Sequence, residues 1–201
     1  MTLSENKEKR FAEINFRNNK KREMVLEGYA LKFNSPAVHR FGSTTISEII
    51  SEKALENTNM DNVPLRYNHT DNIPVLASTR NGSLKLVIDE IGLKIIATLS
   101  NTNMNKDWFR MVQDKLITKM SFAFTIDRDG ELWEEKEGFV LRTIAKIDKL
   151  YDVSLVDTPY YETTEIDALE ERCLSKFKKS KNELLELKKK KIKLKLKYGG
   201  F

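Results

Sequence analysis

The segment KMSFAFTI, residues 119–126, sets Met120, Phe122, Phe124 and Ile126 on one side of an extended chain and Ser121, Ala123 and Thr125 on the other. Successive strand side chains point to opposite faces, so strict alternation of this kind fits a strand on a core and fits no helix. Similar runs recur up to about residue 160. RFAEINF alternates around Phe11 and Ile14, and REMVLEGYALKF follows after the polar RNNKK, so the pair reads as a hairpin. NVPLRYNH is a short strand, and GSLKLVIDEIGLKIIATLS reads as two strands joined at DEIG, where Gly92 supplies permissive backbone. GFVLRTIAKI and LYDVSLVDTP complete a β-rich body.

Helical signals are fewer. NSPAV is a turn, because Pro36 forces Ser35 away from helical geometry. SEIISEKALENT offers Ser47 or Ser51 as an N-cap, which predicts a short helix around 51–57. NKDWFRMVQDKLI places Trp108, Met111, Val112, Lys115 and Leu116 at helical spacing, an amphipathic helix. The expected fold is mainly β with flanking helices, an antiparallel, barrel-like core closed enough to limit exposed edges.

Near Thr164 the character changes. The stretch that follows has no Gly or Pro until Gly199 and puts Ile166, Leu169, Cys173, Phe177 and Leu184 on a roughly helical stripe. The division expected is a body over 1–163 and a Lys-rich, helical or partly disordered extension over 164–201. The closing IKLKLK alternates with period two and suits no helix face. Charge follows the same division. The chain carries a net +5, yet residues 176–197 hold eleven Lys against two Glu, which leaves the remainder at −4. A basic protein invites a nucleic-acid reading, but the acidic body argues against it, since the basicity is confined to the extension. The extension itself reads as a docking segment, a solvated charged helix or a nonspecific phosphate contact.

Cys173 is the single cysteine, so no internal disulfide forms. One Cys and two His, at 173, 39 and 69, make no metal-ligand spacing, and no metal or cofactor is expected. No run approaches the roughly 18–20 apolar residues that span a bilayer. MTLSENKEKRFAEI also lacks the apolar core of a secretory signal, and an intracellular protein is expected.

With no GxSxG elbow, P-loop or GxGxxG, chemistry rests on scattered residues. A serine-dependent hydrolase needs a hydroxyl, a base within hydrogen-bond reach and a group that orients the base. His39, in SPAVHRF, reads as a solvated loop histidine. His69 ends a strand, where rigid elements present side chains to loops, but a polar residue at a loop mouth fits as well. Ser121 is equally a small polar strand residue, and Asp152 an acid between apolar neighbours. Arg142 is a candidate cation for an oxyanion, although an exposed strand arginine is the ordinary reading.

Five segments together resemble the prohead serine proteases of tailed phages, the capsid maturation proteases related in fold to herpesvirus assemblin. LEGYALKFNS (26–35) looks like the opening strand and turn, and VPLRYNHTDNIPVLAST (63–79) like the histidine motif. DEIGLKIIATLS (89–100) resembles the strand that follows, and LITKMSFAFTI (116–126) the nucleophile strand. KIDKLYDVSLVDTPYYETTEI (146–166) is similar to the closing motif, an acid-Val-Ser-Leu-Val strand running into a proline. The resemblance covers about residues 24–166, and the histidine and closing motifs are its most specific parts.

It implies a serine endopeptidase with Ser121 as nucleophile, His69 as general base and Asp152 as the acid that orients the imidazolium. Asp152 stands where the family usually has Glu, and Ala123 where it commonly has Gly two residues after the serine. The implied partners are the major capsid protein and internal scaffold segments as substrates, with a homodimer possible by analogy with related viral proteases. The implied setting is the assembling prohead in the host cytoplasm, and self-cleavage within 160–190 would fit it. A catalytically silent head-assembly protein on the same fold is the alternative.

Overall fold

A computed structural model describes residues 8–18, 23–41 and 44–157, and in the tail positions 175, 178–179, 182–183 and 185–194. Two compact units divide the chain, one of residues 1–40 with 44–159 and one of 41–43 with 160–201.

The first unit is built on two sheets. Eight strands form the larger: β1 (Glu8–Asn18), β2 (Met24–Lys32), β5 (Pro64–Tyr67), β6 (Ala77–Ser78), β7 (Leu84–Ile88), β8 (Gly92–Leu99), β9 (Lys119–Ile126) and β12 (Ile147–Val156). Their order across the sheet is β6-β5-β12-β9-β1-β2-β8-β7. Among the described residues every ladder in it is antiparallel except that of β5 with β12, which is parallel. The smaller sheet joins β3 (Ala37–Phe41), β4 (Thr44–Ile50), β10 (Glu131–Lys136) and β11 (Phe139–Ile144) in the order β10-β11-β4-β3.

The expected hairpin is present, with Ile14 opposite Gly28 and Asn18 opposite Met24. The barrel expectation needs correction, because the large sheet does not close. Its edges are β6 and β7, with no ladder between them, yet these two strands are joined in sequence by the single 3-10 turn Thr79–Asn81. Ser78 N–H donates to the Ser83 hydroxyl across that turn at 2.9 Å.

The core forms as the alternation in 119–126 requires. Met120, Phe122 and Phe124 are buried with Leu65, Leu93, Ile95 and Leu150, and the two phenyl rings stack with centroids 5.0 Å apart. Each such ring contributes about 1.5–3 kcal/mol by leaving water. Gly92 fits its role through close approach: a Cβ there would lie 2.0 Å from the Leu31 carbonyl oxygen, beside a register shift in β2.

Several local expectations change. Residues 44–50 are a strand whose alternate residues Ile46, Glu48 and Ile50 face inward, and only Glu52–Leu55 coils, as a 3-10 turn capped by the Ser51 hydroxyl. Helix α1 (Asn103–Gln113) is capped by Thr102 and buries Asn105, Phe109 and Val112. It stops before Lys115, whose φ is +59°, so Leu116 falls outside the helix and is exposed, and Met111 also faces out. His39 sits half-buried on β3 rather than in a solvated loop.

Arg142 is fully buried instead of exposed and belongs to an ion network between the sheets. Arg10 on β1 grips Glu48 on β4 through two nitrogens, Nη2 at 2.6 Å. Arg142 Nη1 reaches the same carboxylate at 2.6 Å, and its Nη2 reaches Glu131 on β10 at 2.8 Å. Burial pushes the Glu48 carboxyl up, but the charges of Arg10, Arg142 and His39 and the Arg10 hydrogen bonds outweigh it and bring it down to about 2.

In the second unit the described residues over 185–194 are helical, α2. Ile192 and Leu194 therefore lie on a helix, contrary to the period-two reading of IKLKLK, and both are exposed. The stripe at Ile166, Leu169, Cys173, Phe177 and Leu184 lies outside the described residues. Among those described, no helix is long and apolar enough to cross a membrane.

Candidate active site

The face of β9 turned away from the Phe122 and Phe124 rings carries Ser121 and Ala123. Across the ladder on β12, Ser154 is opposite Ser121 and Asp152 is opposite Ala123. Alternation thus puts Ser121, Asp152 and Ser154 on one face of the sheet, while Val153 and Leu155 join the core on the other. A register shift between Leu150 and Asp152 sets the aspartate just past a bulge, a device that re-aims side chains.

The histidine arrives from β5, on the far side of β12. Leu65, Arg66 and Tyr67 run parallel to Val153, Ser154 and Leu155, and Asn68 N–H continues the pairing to the Leu155 carbonyl at 2.9 Å. The chain then turns sharply: Asn68 and His69 have φ of +46° and +55°. This left-handed geometry costs a residue with a Cβ about 1–2 kcal/mol, least for Asn. Several contacts hold it. Asp157 accepts from the Tyr67 hydroxyl at 2.5 Å and from Asn68 Nδ2 at 3.1 Å. Trp108 of α1 lies against the Tyr67 ring, centroids 4.5 Å apart, and Arg66 Nη1 donates to the Thr70 carbonyl at 3.1 Å. Burial, then the Asp157 contact, raises the Tyr67 phenol to about 12.

The turn brings the imidazole onto Ser121. His69 Nε2 lies 2.7 Å from Ser121 Oγ, and His69 Nδ1 lies 2.6 Å from Asp152 Oδ1. With Nδ1 protonated toward the carboxylate, the Nε2 lone pair faces the serine hydroxyl, which donates to it. The group is shielded: Ser121 has no exposed surface, and the His69 and Asp152 side chains are 8% and 10% exposed. β9 lies inside the sheet between β12 and β1, and the Ser121 hydroxyl meets the imidazole there.

All three residues singled out from sequence therefore converge, although 83 positions separate His69 from Asp152. Arg142 does not join them, being tied to Glu48 and Glu131, and His39 lies on the smaller sheet. Two site residues went unnoticed. Ser154 is two positions from Asp152, which alone put it on the same strand face. Asp157 is the next acid after it, and nothing local announced its bonds to Tyr67 and Asn68.

A hydroxyl, an imidazole and a carboxylate hydrogen-bonded in line, shielded from water on a rigid sheet, is the arrangement serine hydrolases use. The model of the caudovirus prohead serine proteases matches residues 12–180, and the chain belongs to that family. It is a family of serine peptidases, and membership points to capsid maturation. No curated protein and no solved structure matches the chain.

Proposed function

We propose that the protein is a serine endopeptidase that cleaves capsid or scaffold segments, and its own chain, inside the assembling prohead. Residues 1–163 form the protease domain and 164–201 an extension that docks it within the shell. Ser121 is the nucleophile, His69 the general base and Asp152 the residue that holds the imidazole. The observation that carries this reading is the line from Ser121 Oγ through both ring nitrogens of His69 to Asp152 Oδ1, at 2.7 and 2.6 Å.

The chemistry follows from that line. As Ser121 Oγ attacks a peptide carbonyl, its proton passes to His69 Nε2, and the cation formed is stabilised by Asp152. The imidazolium then returns the proton to the departing amine, leaving an acyl group on Ser121. A water activated by the same Nε2 hydrolyses the ester and restores the enzyme. Asp152 keeps Nδ1 protonated throughout, so Nε2 is always the nitrogen that exchanges the proton.

The test is intact-mass spectrometry of the protein co-expressed with its capsid protein, as wild type and as Ser121→Ala. Shortened capsid protein and shortened enzyme with wild type alone support the reading. Uncut chains in both samples, with shells still assembling, refute it and leave a head-assembly role on the same fold.

A further inference from the structure

Ser154, to which the proposed chemistry gives no role, touches both His69 and Asp152. It lies opposite Ser121 in the ladder, has no exposed surface, and its Oγ donates to Asp152 Oδ1 at 2.8 Å. The same oxygen accepts from His69 N–H at 3.2 Å and sits 3.3 Å from His69 Nδ1. A hydroxyl has one proton and two lone pairs. Spent on Asp152, that proton leaves the lone pairs facing the histidine, and both flanks of the group are satisfied at once.

We propose that Ser154 is the positioning residue of the site: one hydroxyl fixes the Asp152 carboxylate and the His69 backbone in the same frame, so the imidazole is aimed at Ser121. The need is set by the local backbone. His69 is a β-carbon-bearing residue in left-handed geometry, and Ser154 Oγ accepts its N–H. The neighbouring N–H groups of Asn68 and Thr70 go to the carbonyls of Leu155 and Tyr67, so each N–H of the turn has its own partner. Asp152, for its part, follows a bulge and has a side chain one methylene shorter than Glu. Its Oδ1 takes both the Ser154 hydroxyl and His69 Nδ1, so the donor that orients the carboxylate acts at the atom that orients the ring. Ser154 touches no reacting atom; it acts through Asp152 and His69.

This inference rests on the protease reading, and the test separates the two. Wild type, Ser154→Ala, Ser154→Thr, Asp152→Ala and the double variant Asp152→Ala with Ser154→Ala are compared in the full-length protein. Two rates are measured, cleavage of the co-expressed capsid protein and phosphonylation of Ser121 by a fluorophosphonate, in which Oγ displaces fluoride at phosphorus, with thermal melting to confirm folding. Misplacement of a reacting group by about an ångström costs up to about 100-fold. Ser154→Ala is expected to slow both rates by about 10–100-fold while melting cooperatively, and Ser154→Thr, which keeps the hydroxyl, to recover most of the loss. In the Asp152→Ala background the further loss is expected to be below about threefold, because a residue acting through Asp152 has little left to act on. A folded Ser154→Ala with wild-type rates overturns the proposal, as does a full additive loss in the double variant. If Ser154→Ala does not fold, Ser154→Thr against wild type decides: a wild-type phosphonylation rate supports the role, and a threonine variant that folds but loses phosphonylation overturns it. No phosphonylation of wild-type Ser121 sinks the protease reading itself.

Discussion

Glu48→Gln tests the energetics that hold the two sheets together. Glu48 is 3% exposed and shared by Arg10 and Arg142, and its carboxyl is held at about 2 against an ordinary 4.5. A lowering of that size corresponds to about 3 kcal/mol favouring the ionised form in the folded state. Breaking one partner of a buried ion network costs about 3–5 kcal/mol, a consistent figure. Glutamine keeps the shape and removes the charge, leaving the buried Arg142 and half-buried Arg10 guanidinium groups with one fewer carboxylate. Urea unfolding at pH 7 should therefore lose about 3 kcal/mol, a midpoint shift of roughly 1–2 M. The sign with pH is fixed, because the folded-state value lies below the unfolded one. The stabilisation is complete above about 4.5 and fades as pH falls toward about 2. At pH 3 the difference between wild type and variant should shrink to about 1 kcal/mol. A variant as stable as wild type at pH 7, or a deficit unchanged at pH 3, would refute the reasoning.

Asp152→Asn should leave the fold intact and lower kcat/KM by about 10⁴, since an amide facing Nδ1 favours the wrong tautomer; kinetics on the capsid protein would show it. Gly92→Ala drives a Cβ to within 2.0 Å of the Leu31 carbonyl oxygen. A cost of about 3 kcal/mol is expected, lowering the melting temperature by roughly 6–12 °C in calorimetry. Tyr67→Phe removes the hydrogen bond to Asp157 and should cost about 1 kcal/mol at neutral pH by urea unfolding. Because the folded phenol is raised to about 12, wild-type stability should fall as pH rises from 10 toward 12, and that fall should weaken in the variant.

The residues differ in how readily the sequence revealed them. KMSFAFTI announced β9, because alternation of Phe with Ser and Ala is an intrinsic property of the segment. ELWEEK, which forms β10, announced nothing: four of its six residues are charged, and its strand state comes from pairing with β11. TTISEII hid in the same way, since its inward glutamate breaks the apolar rhythm and is tolerated only because Arg10 and Arg142 meet it. The helix face drawn through Leu116 failed because Lys115 leaves the helix. At the site, Ser121 and Asp152 were legible through their motifs, but their neighbourhood was not. The pairing of Ser121 with Ser154 is a matter of ladder register between strands that no local pattern specifies, and the left-handed turn at His69 depends on partners from β12.

The order of the large sheet also bears on when activity can begin. Its central strands, β12, β9 and β1, come from the end, the later half and the start of the first unit, and Ser121 and Asp152 lie on two of them. Contacts between residues so distant in sequence form slowly, on the order of milliseconds to seconds. The carboxylate partner of His69 sits on β12, the last strand among the described residues, so a growing chain has no complete line of hydrogen bonds until residues 147–156 have left the ribosome. On the roles proposed above, synthesis itself acts as a timer: Ser121, His69 and Asp152 cannot act together before residues 147–156 are made and folded.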